Sequence, residues 1–197
     1  MKKISALVII FSLAGINCLF SQENHLSIQY DMSFSTGDMG DYISSPSFRG
    51  TSMQYRYAVS DRFLVGIDVA WNVFYEKKDY DSYTRGTQTL SGIQYRYQSE
   101  VPLLAAVDYV LSPDTKLTPY LGLGVGTMYS ERTLDMGMYR WEENPWHFAL
   151  KPEVGLLYDF SQGTSAKVAA KYYYGLEAGD LASQGYFSVS IGLAFRF

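Results

Sequence analysis

The chain has 197 residues, enough for one domain, with a formal net charge of -4. Charged residues make up 18% and aromatic residues 16%, with 18 Tyr, 11 Phe and 3 Trp, so charge is scarce and aromatic surface abundant for a soluble domain. The acidic balance excludes a nucleic-acid partner.

Lys2 and Lys3 followed by the apolar run 4–16 form the pattern of a secretory leader, too short to span a bilayer as a helix. Segment 1–21 is expected to be a signal peptide and 22–197 the mature domain. Cys18 is the only cysteine. Residues 15–17 lack the small residue that precedes a lipidated cysteine, so Cys18 is expected to leave with the leader and the mature domain to be free of disulfides.

From His25 onward the apolar period is two, the period of strands. Segment 26–34 sets Leu26, Ile28, Tyr30, Met32 and Phe34 against Ser27, Gln29, Asp31 and Ser33. Segment 47–58 follows, with Met53, Tyr55 and Tyr57 opposite Ser52, Gln54 and Arg56, and ends in a turn at 59–62. Segment 63–75 is the clearest strand: Phe63, Val65, Ile67, Val69, Trp71, Val73 and Tyr75 share one face. Segment 93–111 alternates likewise, and Pro102 predicts a bulge or break within it. A turn at 112–114 leads to 117–129, where Leu121, Leu123 and Val125 oppose Gly122, Gly124 and Gly126. Those glycines are expected to make room for Arg96 and Tyr120 across the interior. Segments 146–160, 166–174 and 187–197 complete eight strands. Short turns near 60, 113 and 162 alternate with long polar connections at 37–46, 76–92, 130–145 and 177–184, as in a chain weaving up and down.

Alternation does not say which face points outward. A lipocalin-like soluble barrel would carry charges outside; here the charges fall in the long connections or on the polar face. An apolar exterior in lipid fits better, because a closed barrel pairs every backbone N–H and C=O internally. The expected fold is therefore all-β, an eight-stranded antiparallel up-and-down transmembrane β-barrel. Aromatics near both ends of the apolar stripes form two interfacial belts: Tyr57, Phe63, Tyr109, Tyr158 and Phe195 at one end, Trp71, Tyr75, Tyr95, Tyr129, Trp146 and Phe187 at the other.

The final strand Phe187-Ser-Val-Ser-Ile-Gly-Leu-Ala-Phe-Arg-Phe197 is joined by Pro119-Tyr-Leu-Gly-Leu-Gly-Val-Gly126 and Pro152-Glu-Val-Gly155. With them the chain resembles the eight-stranded outer-membrane β-barrel superfamily that includes the OmpA, OmpX and OmpW types. The resemblance covers the whole mature chain. It implies an integral protein of the Gram-negative outer membrane with both termini in the periplasm. It also implies outer-membrane lipids and lipopolysaccharide as surroundings, and Phe195 and Phe197 as the signal read by the barrel-assembly machinery. No peptidoglycan-binding module is expected.

Eight strands enclose a lumen just wide enough for side chains. The inward set Asp31, Arg56, Asp68, Arg96, Glu100, Asp108, Lys151, Glu153, Lys171 and Arg196 carries both signs and is expected to pair into a plug, since unpaired buried charge is costly. A structural or surface-interaction role follows, with an extracellular ligand at the long connections around 80–85 and 134–141. The alternative is a narrow conduit for small or apolar solutes, as proposed for OmpW types. His25 and His147 are the only histidines, and neither has a serine nucleophile in a plausible site, so no enzyme is expected. Asp79 and Asp81 read as solvated loop carboxylates rather than a metal site, and no cofactor is expected.

Overall fold

A computed structural model describes residues 24–197 apart from 86, 87, 114 and 180, and apart from the side chains of 84–90. The leader and Cys18 lie outside the described residues. Nine strands follow in order: β1 (Asn24–Thr36), β2 (Ser47–Ala58), β3 (Phe63–Arg85), β4 (Gln88–Val110), β5 (Leu117–Met136), β6 (Tyr139–Glu143), β7 (Trp146–Ser161), β8 (Thr164–Gly175) and β9 (Gln184–Arg196). One helical turn, α1 (Gly37–Tyr42), lies between β1 and β2.

Every pairing is antiparallel, between sequence neighbours except that β5 pairs with β7 as well as β6 and that β1 pairs with β9 over twelve positions from His25↔Arg196 to Thr36↔Gly185, so the sheet closes. The seam continues one residue further. Asn24 N–H donates to the Phe197 carbonyl at 2.9 Å, and Phe197 N–H donates to the Asn24 carbonyl at 3.0 Å. Closure leaves no free edge around the barrel wall.

The eight staves count β6 and β7 as one. β6 pairs with β5 from Arg132↔Glu143 to Met136↔Tyr139, and β7 pairs with β5 from Tyr129↔Trp146 in the same register. The break falls at Asn144 and Pro145, because proline has no N–H to give to the ladder. The Pro145 carbonyl still accepts from Ser130 N–H at 3.1 Å.

Two of the expected long loops are strand instead. Positions 76–92 are mostly a hairpin, paired from Glu76↔Arg96 to Arg85↔Gln88, and 130–145 is the β5–β6 hairpin. At about 3.3 Å per residue, the 23 residues of β3 and of β4 far exceed a bilayer, so these hairpins stand clear of the apolar band. Polar sequence gave 76–92 the look of a loop; cross-strand pairing holds it as sheet. Pro102 shifts no register but breaks the β3–β4 ladder locally, which passes from Val69↔Leu103 to Asn72↔Glu100 because proline has no N–H to give, while on the other side it lies opposite Met128 in a continuous β4–β5 ladder. The shift in the β3–β4 ladder falls between Lys78 and Asp81.

Outward and inward residues alternate as the period of two requires. Outward positions such as Ile28, Met53, Ile67, Leu103, Leu123, Val154 and Ile191 are exposed. Along the staves the outward residues 26–34, 51–57, 63–75, 97–109, 121–129, 146–158, 166–174 and 187–195 include no Asp, Glu, Lys or Arg. Aromatic pairs mark the ends of this band: Phe63–Tyr109 at 5.1 Å near the short turns, Tyr75–Tyr97 at 5.0 Å and Tyr129–Trp146 at 5.1 Å near the long connections.

The seam yields a prediction about assembly. The ladder bonds at Phe197 are backbone bonds and its side chain is 68% exposed. Phe197→Asp should therefore cut the yield of barrel in outer-membrane fractions several-fold while leaving the unfolding temperature of refolded protein unchanged. An equal loss in refolded material would make the side chain structural rather than an assembly signal.

Candidate functional site: the barrel lumen

The interior is built in two layers. In the central layer four cations, Arg56, Lys151, Lys167 and Lys171, face four carboxylates, Asp31, Asp68, Asp108 and Glu153, all at most 3% exposed. Arg56 on β2 spans two carboxylates: its Nη1 meets Asp68, its Nη2 reaches Asp68 Oδ2 at 3.1 Å, and its Nε donates to Asp108 Oδ2 at 2.7 Å. The planar guanidinium fork suits such a double contact. Lys151 Nζ bridges Asp68 and Glu153. Lys167 Nζ lies 3.7 Å from Glu153 Oε1 and 4.8 Å from the centre of the Tyr120 ring, and it donates to Gln54. Lys171 Nζ is 3.3 Å from Asp31 Oδ1 and 2.8 Å from Ser52 Oγ.

Glutamine joins the two sides of the barrel. Gln54 Nε2 donates to Glu153 Oε2 at 2.9 Å, and β2 and β7 are opposite staves, four positions apart in the ring of eight. This bond crosses the centre of the barrel. Tyr120 adds a hydroxyl hydrogen bond to Glu153 Oε1.

Glycine makes part of this packing possible. A Cβ on Gly155 would lie 2.4 Å from the Tyr120 hydroxyl oxygen, and one on Gly122 would lie 2.6 Å from Asp108 Oδ1. The space at Gly122 and Gly124 is thus taken by Asp108 and Leu104, not by Arg96, and Tyr120 fills the space over Gly155. At the short-turn mouth a cavity of about 20 Å³, room for one water, opens among His25, Ser27, Arg56, Asp108, Tyr120 and Lys167.

Toward the long connections an apolar cluster lies beside the buried polar side chains of Asn72, Gln98, Glu100 and Gln184. Met39 and Ile43, both fully buried, pack with Phe74, Leu104, Met128, Tyr173 and Tyr186. The Tyr173 and Tyr186 rings stack at 4.6 Å. Segment 37–46, expected as an exterior polar loop, therefore turns inward and crosses the mouth. Tyr42 reaches β5, where its hydroxyl donates to the Thr133 carbonyl at 3.3 Å and the Arg132 guanidinium lies 4.0 Å from its ring centre. Arg96 Nη1 donates to the Tyr42 carbonyl at 2.7 Å. Outside the band, Glu76 accepts Ser44 N–H at 2.8 Å and Ser44 Oγ at 3.0 Å, with Lys78 Nζ at 2.6 Å. Burial alone would raise the Glu76 carboxyl, but these donors outweigh it and hold it below the usual carboxylate range.

Of the ten charges expected in one network, seven meet in the central layer: Asp31, Arg56, Asp68, Asp108, Lys151, Glu153 and Lys171. Glu100 is fully buried but sits apart, accepting from Ser130 Oγ at 2.5 Å and Gln98 Nε2 at 2.6 Å. Arg96 belongs to the mouth, and Arg196 is exposed at the short-turn rim. Lys167 was missed, although it shares the strand parity of Lys171. Met39, Tyr42 and Ile43, spaced as one helical turn, were the available signal for the inward segment. His147 lies in the wall with its Nδ1 2.6 Å from the Leu176 carbonyl, and Ser130 serves Glu100 instead. Among the described residues no cluster of His, Cys, Asp and Glu is arranged to hold a metal.

A closed eight-stranded barrel with an uncharged apolar exterior and an ion-paired interior has the architecture of transmembrane β-barrels. Solved structures of that architecture superimpose on it. The attachment invasion locus protein Ail of Yersinia pestis, solved in complex with the heparin analogue sucrose octasulfate, matches with a TM-score of 0.55 at 13% identity, covering 90% of this chain and 100% of Ail. Neisserial surface protein A matches at 0.54 and 14%, covering 89% and 97% of the two chains. Pseudomonas aeruginosa OprG matches at 0.50 and 15%, covering 89% and 95%. At these identities the likeness establishes the fold. No family model and no curated protein matches the sequence.

Proposed function

We propose that this chain is an integral outer-membrane β-barrel of a Gram-negative envelope whose lumen is plugged, and which acts through its outer hairpins as a structural or surface-interaction protein. The observation that carries this reading is the Gln54–Glu153 bond across the lumen within a layer of four cations and four carboxylates. Opposite charges in balance leave no net field to draw an ion through, and every opening would require several buried pairs to part together.

The apolar outer band supports residence in lipid, with lipopolysaccharide and outer-membrane lipids as its surroundings. The barrel-assembly machinery would read the strand ending at Phe197. Asn24 and Phe197 lie at the short-turn end, which would face the periplasm, and the hairpins β3–β4 and β5–β6 would face outward. No catalytic role is assigned. A polyanion such as the one bound to Ail is not the expected ligand here. Segments 37–46, 76–92, 130–145 and 177–184 together carry eleven Asp and Glu against five Lys and Arg, so on balance they would repel it.

Planar-bilayer recording of the refolded protein tests the plug. Silent bilayers are expected at moderate voltage. Reproducible solute-dependent openings would replace this reading with that of a narrow conduit.

A further inference from the structure

The inward segment 37–46 differs from the wall around it in how it is held. β1 and β2 stop pairing at Ser33↔Ser47, and among the described residues the backbone of 38–46 makes no ladder with any stave. Its one backbone bond outside the helical turn is internal, Ile43 N–H to the Met39 carbonyl at 2.9 Å. Both ends are turning points: Gly37 has φ +57°, the left-handed region that favours glycine, and Pro46 precedes β2. Its ties to the barrel include Ser35 Oγ to the Ile43 carbonyl, Ser183 Oγ to Asp38 Oδ2 at 2.8 Å, the Ser44–Glu76 pair of bonds, and the Tyr42 contacts with Arg96, Arg132 and Thr133. Water can replace such bonds at a mouth, so the segment can open without unfolding a stave.

We propose that segment 37–46 is a hinged lid, turning at Gly37 and Pro46, which covers an apolar cup that is closed below by the central ionic layer. The wall of that cup comes from five staves, through Phe74 on β3, Leu104 on β4, Met128 on β5, Tyr173 on β8 and Tyr186 on β9, and its filling is Met39 and Ile43. Closed, the lid buries these side chains. Lifted, it exposes a blind cup to the exterior and opens no path through the barrel, since the Gln54–Glu153 level lies beneath. The blindness of the cup rests on the plugged-lumen reading; the hinge does not.

Single cysteines introduced into a Cys18→Ser background, in full-length protein assembled in vesicles, test this with a membrane-impermeant thiol reagent added at the long-connection side. Met128→Cys reports the cup wall and Ser190→Cys, opposite Asp31 in the β1–β9 ladder, reports the ionic layer. Met128→Cys should react slowly. Its rate should rise about tenfold or more when Glu76→Ala removes the carboxylate that anchors Ser44, the loss of a hydrogen bond to a charged group. Asp38→Ala, which removes the Ser183 tie, should act in the same direction and covers the case that Glu76→Ala fails to assemble. Ser190→Cys should stay unlabelled throughout. A Met128→Cys rate unmoved by either anchor variant overturns the lid. Labelling of Ser190→Cys at the Met128→Cys rate overturns the closed floor, and with it the plug, while leaving the hinge standing.

Discussion

Replacing Arg56 by methionine is expected to destabilise the folded barrel by about 3–5 kcal/mol, the range for breaking a buried ion pair by removing one partner. Among the described residues Arg56 alone forms ion pairs with both Asp68 and Asp108, and all three are at most 3% exposed. Methionine keeps most of the side-chain volume, so the loss reports charge rather than a cavity. Asp68 would retain Lys151, whereas Asp108 would lose the guanidinium that pairs with it. Arg56→Lys should fall between, because a single ammonium cannot donate in a fork to both carboxylates. Urea unfolding of protein refolded into lipid vesicles provides the measurement. A loss below about 1 kcal/mol, the scale of solvent-exposed pairs, would mean that water reaches Arg56 and that the lumen is wet.

The second large effect concerns the outer face. Leu123→Arg, in the middle of the outward stripe of β5, should cost about 2–4 kcal/mol, and Leu117→Arg, at the short-turn end of the same stripe, about 0–1 kcal/mol, following the depth dependence of cations on a lipid-facing barrel wall. Both leucines are 52% exposed in the isolated barrel, so solvent accessibility alone predicts no difference between them. Only a hydrocarbon slab around the band separates the two. Equal and small losses in the same urea titration would return the soluble-barrel reading.

These two substitutions probe parts of the molecule that differ in how legible they were. The outward face of β5 could be read from the period of two, because strand geometry sends alternate side chains to opposite faces whatever the fold. The inward placement of Asp68 and Lys151 followed from the same parity. Their meeting did not. Lys151 Nζ touches Asp68 across 83 positions of chain, and which inward charges share a level depends on the stagger of each stave against the next. Arg96 and Arg196 have the same parity as the charges of the central layer, yet one lies at the mouth and the other on the rim. Position along the tilted strand, which periodicity does not encode, decides that. Lys167 entered the layer for the converse reason: its level matches that of Glu153 and Gln54.

The connections were the least legible part. Residues 76–92 are polar on both faces, so no apolar alternation marks them as strand, and they, like 130–145, are sheet because the hairpins pair with themselves and with each other. Segment 37–46 is short and rich in Gly, Asp and Ser, which describes an exterior loop equally well. Only the apolar ring from Phe74 to Tyr186 above the ionic layer gives Met39 and Ile43 a place to be buried.

By itself, then, the sequence determined the all-β class, the number of staves, the apolar and polar faces of each stave, the alternation of short and long connections and the mixture of charge signs on the polar face, since each follows from local periodicity and turn chemistry. The tertiary structure alone decided the continuity of β6 with β7 through Pro145, the pairing of charges across the lumen, and the inward fold of 37–46. Those depend on contacts between residues far apart in the chain, which exist only once Asn24 and Phe197 have closed the barrel.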